Sequence, residues 1–287
     1  MCLLASLLRL LVHGQVLMAL SAVCYVQIAG ILLGGGAVPW NWSVVAFLGT
    51  LGIYVLDSLR SADHEDPISQ PDRARLFRRH RGAALGLGLL SLATGFVCLL
   101  LSSPPLATWV PLGVLALTAA CYLVPLVPLP SRVVTLKDFS IAKPLVISLA
   151  WFAGALIAGG DPLLESGSFP RWSTILAFGA MTIPILVLDS VWLDRRDRRA
   201  DLAYGHPTFA SQVGGAGFLI ARIGLWSLPW LVLLAYPSWL VPCLAMQLGS
   251  APMLALEPER LRSESGRVVL ASFWRFAGCG ALLATLH

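Results

Sequence analysis

Long apolar runs alternate with short polar links along the whole chain. Stretches of about 20 apolar residues, enough for a helix to cross the hydrocarbon core of a bilayer, occupy roughly 14–35, 41–60, 83–101, 106–127, 141–160, 172–193, 213–235, 238–256 and 268–286. They predict nine transmembrane helices. Residues 1–12 form a short lipid-facing lead-in interrupted by Arg9, and with no convincing small-residue cleavage site behind it the lead-in is read as retained. Gly86, Gly88, Gly154, Gly179, Pro184, Gly214, Gly215, Gly217 and Pro229 lie inside the runs, where ordinary helix packing and local breaks account for most of them. No polar block of domain size interrupts the pattern, so residues 1–287 read as a single all-α domain, an integral membrane bundle.

The links at 36–40, 102–105 and 236–237 carry no charge, while those at 61–82, 128–140, 194–212 and 257–267 carry nearly all of it. Apart from Arg171 in an odd-numbered link and Arg222 and Arg275 inside spans, every Lys and Arg sits in the lead-in or at the even-numbered links. The positive-inside rule therefore places the N-terminus and the four charged links in the cytoplasm and His287 outside, the membrane being read as the plasma (inner) membrane. Composition agrees: 57% of residues are hydrophobic and 12% charged, against about 25% charged in soluble domains. The pI of about 9.1 reflects basic links facing anionic lipid and does not call for nucleic acid. The six cysteines all lie in apolar stretches without a C-x-x-C pair, so they read as small hydrophobes, with neither a disulfide nor zinc indicated.

Two of the charged links hold clusters of carboxylates. After the run 172–193 come Asp194, Asp197 and Asp201, which on a helix fall within about 60° of one another, while Arg195, Arg196, Arg198 and Arg199 mostly point elsewhere. Stacked like charges repel; they suit a cation site, and the alternative is a solvated helix end with arginines at headgroups. The other link holds Asp57, Asp63, Glu65, Asp66 and Asp72. Asp57 shares no helical face with Asp63 or Asp66, but Pro67 predicts a break that brings it back toward them, the alternative again being a hydrated loop. Mg²⁺ takes oxygen ligands, typically one or two carboxylates plus substrate phosphates, so two facing clusters suit ions that neutralise a diphosphate and make it a leaving group. Arg222 and Arg275 are expected to snorkel to headgroups, Asp189 to cap or pair internally, and His13 to sit at the interface.

These features resemble the UbiA superfamily of intramembrane prenyltransferases, whose nine helices carry Asp-rich motifs on cytoplasmic loops after helices two and six. The family's D-x-x-D-x-x-x-D followed by G and T is matched by Asp194, Asp197, Asp201, Gly205 and Thr208. Of its N-x-x-x-D-x-x-x-D and downstream P-x-R, Asp66 matches the last Asp, and Pro71, Asp72 and Arg73 match the P-x-R. Ser58, beside Asp57, stands at the Asn position, and Ala62, beside Asp63, at the middle Asp position. Lys137, Lys143 and Trp151 resemble a third, Lys-rich pattern.

The resemblance implies a central cavity opening to the cytoplasmic side and Mg²⁺-dependent transfer of a prenyl group from a polyprenyl diphosphate to a small, aromatic acceptor. Asp57, Asp63, Asp66, Asp194, Asp197 and Asp201 would hold the metal, Asp197 and Asp201 being central to catalysis. Lys137, Lys143 and Arg73 would bind the diphosphate. A membrane protein of the same fold that binds an isoprenoid without chemistry is the competing expectation. A transporter is disfavoured by the absence of half-to-half repetition, and a phosphatidyl-alcohol transferase by the absence of D-G-x-x-A-R.

Overall fold

A chain in hydrocarbon must satisfy its backbone polar groups internally, and it does so here by folding its apolar runs into helices. The computed structural model describes residues 11–34, 36–63, 66–124, 127–128, 133–134, 143–165, 167, 170–203, 208–261 and 264–285. Its long helices are α1 (Val16–Leu33), α2 (Trp40–Ser61), α3 (Arg81–Leu101), α4 (Leu106–Leu123), α5 (Lys143–Glu165), α6 (Trp172–Ala203), α7 (Gly215–Ser227), α8 (Leu240–Ala255) and α9 (Glu264–Thr285). The one strand pairing among the described residues is the two-residue match of Val127 with Val134 and Pro128 with Val133.

Eight helical stretches among the described residues are long and apolar enough to cross a membrane, α7 reaching that length with the 3₁₀ segment Leu228–Leu234 that continues it. Apart from that two-residue pairing, the regular structure among the described residues is helical, and the protein is a helical membrane protein. Outward-facing Leu90, Val110, Val114, Leu117 and Leu234 are each more than half exposed, as side chains in contact with lipid should be.

Two further predicted spans differ markedly from the helices they become. The run 238–256 yields only the 16-residue α8, about 24 Å at 1.5 Å per residue, because its first residues are drawn into a 3₁₀ turn begun by Pro237. In the other direction, α6 runs ten residues past Leu193 and keeps Asp194 and Asp197 on one continuous helix of 32 residues. That extension is anchored sideways. Arg195 Nη1 donates to the carbonyls of Ala210 (2.7 Å) and Val213 (3.1 Å), around the short helical turn Phe209–Gln212.

The helices pack around a core of Tyr25, Phe178, Met181, Ile185, Trp192, Met246 and Trp274. Tyr25 stacks on Phe178 at 5.8 Å between centroids, and its hydroxyl donates to Thr182 Oγ1 at 2.9 Å, which removes an unsatisfied polar group from the bundle centre. Two glycines set how closely helices meet. A Cβ on Gly159 of α5 would come 2.7 Å from the backbone nitrogen of Gly30 in α1, and one on Gly249 of α8 would come 2.6 Å from Trp274 Cα in α9. Small residues at such crossings bring backbones into contact.

Candidate functional site

The polar segment between α2 and α3 folds in pieces. α2 ends at Ser61, a helical turn spans Asp66–Ser69, and a nine-residue helix spans Pro71–Arg79. Pro67 and Pro71 each lie at the beginning of their helical piece, where the missing N–H costs nothing. The break places Asp57 near the end of α2 and Asp66 at the head of the next turn in the wall of one cavity. Asp194 and Asp197 of α6 line the same cavity.

That cavity has a volume of about 130 Å³. Its walls come from α1, α2, α4, α5, α6 and α9 together with the 66–79 segment, and they carry five carboxylates (Asp57, Asp66, Asp189, Asp194, Asp197) and four cations (Arg73, Lys143, Arg196, Arg275). The pairing is close. Arg73 holds Asp66 in a two-pronged contact at 2.8 and 2.5 Å, and Lys143 Nζ donates to Asp194 Oδ1 at 2.7 Å. Arg196 holds Asp197 through two hydrogen bonds of 2.7 and 2.6 Å. With the Gln70 amide turned to present its oxygen, that oxygen accepts from Arg73 (2.8 Å) and Arg196 (2.9 Å). Gln70 thus joins the two acidic segments through their arginines.

Closer to the middle of α6, Arg275 of α9 donates from Nη2 to Asp189 Oδ2 at 2.6 Å. Its guanidinium carbon lies 4.5 Å from the Trp151 ring centroid and 4.7 Å from that of Trp274. Tyr54 accepts from Trp151 Nε1 at 3.1 Å, and Tyr54, Tyr122 and Trp151 give this part of the cavity aromatic walls.

Several expectations change here. Asp63 lies outside the cavity, its side chain 40% exposed and paired with Arg81 at 2.7 Å and Arg78 at 3.4 Å; the chain has left the α2 helix by then and presents it to the basic stretch before α3. Arg275 does not snorkel but is 2% exposed and paired inside the bundle. Arg222, also 2% exposed, pairs with Glu257 at 2.6 Å and donates to the carbonyl of Met253 at 3.0 Å. Asp189 does pair internally, yet it shares the cavity with Asp194. Arg196 turns into the site and does not point away. His13 is 5% exposed, a buried residue. Thr208 caps the Phe209–Gln212 turn, its hydroxyl accepting from Ser211 N at 3.3 Å. Lys137, Gly205 and the side chain of Asp201 lie outside the described residues.

Sequence reasoning missed the Asp189–Arg275 pair, though a signal was present. A carboxylate in the middle of an apolar run requires a partner, and Arg222 and Arg275 are the arginines inside other runs. Tyr54, Tyr122 and Gln70 carry no such signal.

The donor set fits a hard divalent cation. All its acidic ligands are carboxylate oxygens, the type Mg²⁺ takes. Asp194 Oδ2 and Asp189 Oδ1 are buried without a hydrogen-bond partner among the described residues, so each keeps a lone pair for a further positive group. The arginines and lysine present the complementary capacity, binding anionic oxygens once a ligand competes with the carboxylates. Compared with known proteins, the chain matches no protein-family model, no curated protein and no solved structure.

Proposed function

We propose that this protein transfers a prenyl group from a polyprenyl diphosphate to a small, aromatic acceptor within the membrane, with Mg²⁺ at the diphosphate. The observation that carries the reading is that both Asp-rich segments contribute to one cavity, which also holds Lys143, Arg73 and Arg196. In this reading the chain spans the plasma (inner) membrane nine times, α8 being the short span, and the cavity is central and opens with both acidic segments on the cytoplasmic face. Asp57, Asp66, Asp194 and Asp197, with Asp201, hold the metal; Mg²⁺ when bound neutralises the diphosphate and lowers its basicity as a leaving group. Lys137 belongs with Lys143 among the diphosphate-binding groups.

Lys143, Arg73 and Arg196 bind the diphosphate oxygens and stabilise the charge they gain as the C–O bond breaks, with the electron pair leaving on oxygen. Tyr54, Tyr122 and Trp151 face the allylic cation left behind, an arrangement their ring quadrupoles favour, and keep water from it. The acceptor's nucleophilic atom then forms the new bond and sheds its proton.

The competing reading is a binder without chemistry. It is favoured by the pairing of Asp66, Asp194 and Asp197 with Arg73, Lys143 and Arg196, which leaves the cavity near neutrality before any metal enters.

Purified protein given Mg²⁺, labelled prenyl diphosphates of several lengths and a panel of aromatic acceptors is expected to release diphosphate and form prenylated product. Asp197→Asn removes one carboxylate charge at constant size and should lower turnover at least about 100-fold, the scale of losing one preorganised electrostatic contact, in protein that is still folded but melts lower because Arg196 loses its charged partner. Tight, Mg²⁺-independent binding of prenyl diphosphate with no product from any acceptor decides for the binder.

A further inference from the structure

Outside the cavity, three ligand-bearing side chains from distant parts of the chain converge on one point. His13 precedes α1, Asp72 lies in the Pro71–Arg79 helix, and Glu264 begins α9; one ligand atom from each lies within 4.8 Å of the other two. His13 is 5% exposed. Glu264 Oε1 accepts from the backbone N–H of Asp72 at 3.3 Å, while its Oε2 is buried without a hydrogen-bond partner among the described residues. Ser265 Oγ lies 3.4 Å from His13 Nε2 and so holds the imidazole against the head of α9. The chain turns sharply just after the histidine, at Gln15, whose φ of 66° is a left-handed value that a residue with a side chain seldom adopts.

Two carboxylates facing each other beside a buried imidazole are mutually repulsive unless a cation or a proton lies between them. Arg75 takes one oxygen of Asp72, which leaves the Glu264 Oε2 atom unanswered. We propose that His13, Asp72 and Glu264 form a site for a divalent transition-metal ion. An imidazole nitrogen with two carboxylates is a borderline donor set that suits Zn²⁺, Co²⁺ or Mn²⁺, whereas Mg²⁺ prefers oxygen alone. Bonds of about 2.0–2.2 Å to such an ion hold ligand atoms about 3–4 Å apart, so closure needs only a small inward shift from the separations seen. Three protein ligands leave a position for water, as in open zinc sites.

The placement says what the ion does. Gln15, Arg73 and Val268, two, one and four residues from the three ligands, line the cavity. The ion therefore staples the start of the chain, the Arg73 segment and the last helix together directly behind the cavity wall. It acts on the shape of the cavity mouth and touches nothing that would bind there. The inference stands whether or not the cavity carries out prenyl transfer.

The test uses metal alone on the full chain in detergent, stripped with chelator. Co²⁺ is titrated while its visible ligand-field absorption is recorded, and Zn²⁺ is then added in competition. The expected result is one high-affinity Co²⁺ with a nitrogen-containing, low-symmetry spectrum, displaced by Zn²⁺. His13→Gln and Glu264→Gln should each weaken binding at least about 10-fold, and Zn²⁺ should raise the melting midpoint of the unaltered protein but not of these variants. Asp197→Asn, in the cavity, should leave the nitrogen-containing Co²⁺ spectrum unchanged. Absence of Co²⁺ binding, or binding that survives His13→Gln but is lost in Asp197→Asn, overturns the site. Chelator-treated variants that melt where the chelator-treated parent melts exclude simple misfolding.

Discussion

At the scale of single residues, the Asp189–Arg275 pair tests best how the bundle tolerates charge. The two side chains are 6% and 2% exposed, and Asp189 Oδ1 and two guanidinium nitrogens of Arg275 have no hydrogen-bond partner among the described residues. Removing one partner of such a pair strands a charge in a low-dielectric site, typically at about 3–5 kcal/mol, whereas replacing both by apolar groups of similar volume is often close to neutral. Arg275→Met alone should therefore lower the free energy of unfolding by about that amount, and Asp189→Leu with Arg275→Met should recover most of it. Denaturant titration in mixed micelles measures both. A double variant no more stable than Arg275→Met would mean that the lost packing on Trp151 and Trp274 dominates, not the charge. The same residues mark the limit of what sequence reasoning reached. Spacing placed Asp194 and Asp197 on one helical face because α6 obeys its 3.6-residue period. It missed that Asp189, a turn and a half deeper, lines the same cavity, since the cavity descends along the helix.

At the scale of elements, eight of the nine expected spans were legible because hydrocarbon enforces length: a run of about 20 apolar residues can do little but form a helix. The polar pieces were not. The Asp66–Ser69 turn and the Pro71–Arg79 helix lie where no apolar periodicity exists, and only Pro67 hinted at the break that brings Asp57 and Asp66 together. Helix contacts follow the smallest residues. Gly159 meets the backbone of Gly30, whereas a Cβ on Gly113 of α4 would find nothing within 4 Å. Gly159→Val should push α1 from α5 and destabilise by about 1–3 kcal/mol, the range for overpacked sites. Gly113→Ala should be neutral or stabilising by up to about 1 kcal/mol through reduced backbone freedom. Thermal unfolding of the two variants side by side gives the comparison. Equal midpoints would mean that the α1–α5 contact yields easily and does not define the bundle.

At the scale of the whole molecule, one geometric condition governs the functional reading: the two Asp-rich segments must reach the same side of the membrane. Lys and Arg are concentrated around 60–81, 132–143, 195–199 and 260–267, leaving Arg171 as the cation near the other end of the helices. Such a bias orients membrane proteins, because basic links are retained on the cytoplasmic side. Ile68, 46% exposed beside Asp66, and Trp172, 72% exposed at the head of α6, are suitable reporters at the two ends; Ala203 at the far end of α6 is also exposed. In a background without the native cysteines, single cysteines at 68 and 203 should react with a membrane-impermeant thiol reagent only after the cytoplasmic face is opened. A cysteine at 172 should react in intact cells. α6 fixes the relation between positions 172 and 203, since a continuous helix of about 48 Å is longer than the hydrocarbon core and must expose opposite ends to opposite sides. Position 68 is the free variable. If it labels with 172 and not with 203, Asp66 and Asp197 cannot share a cavity, and the Gln70 bridge, the paired carboxylates and the proposed diphosphate site are all excluded together.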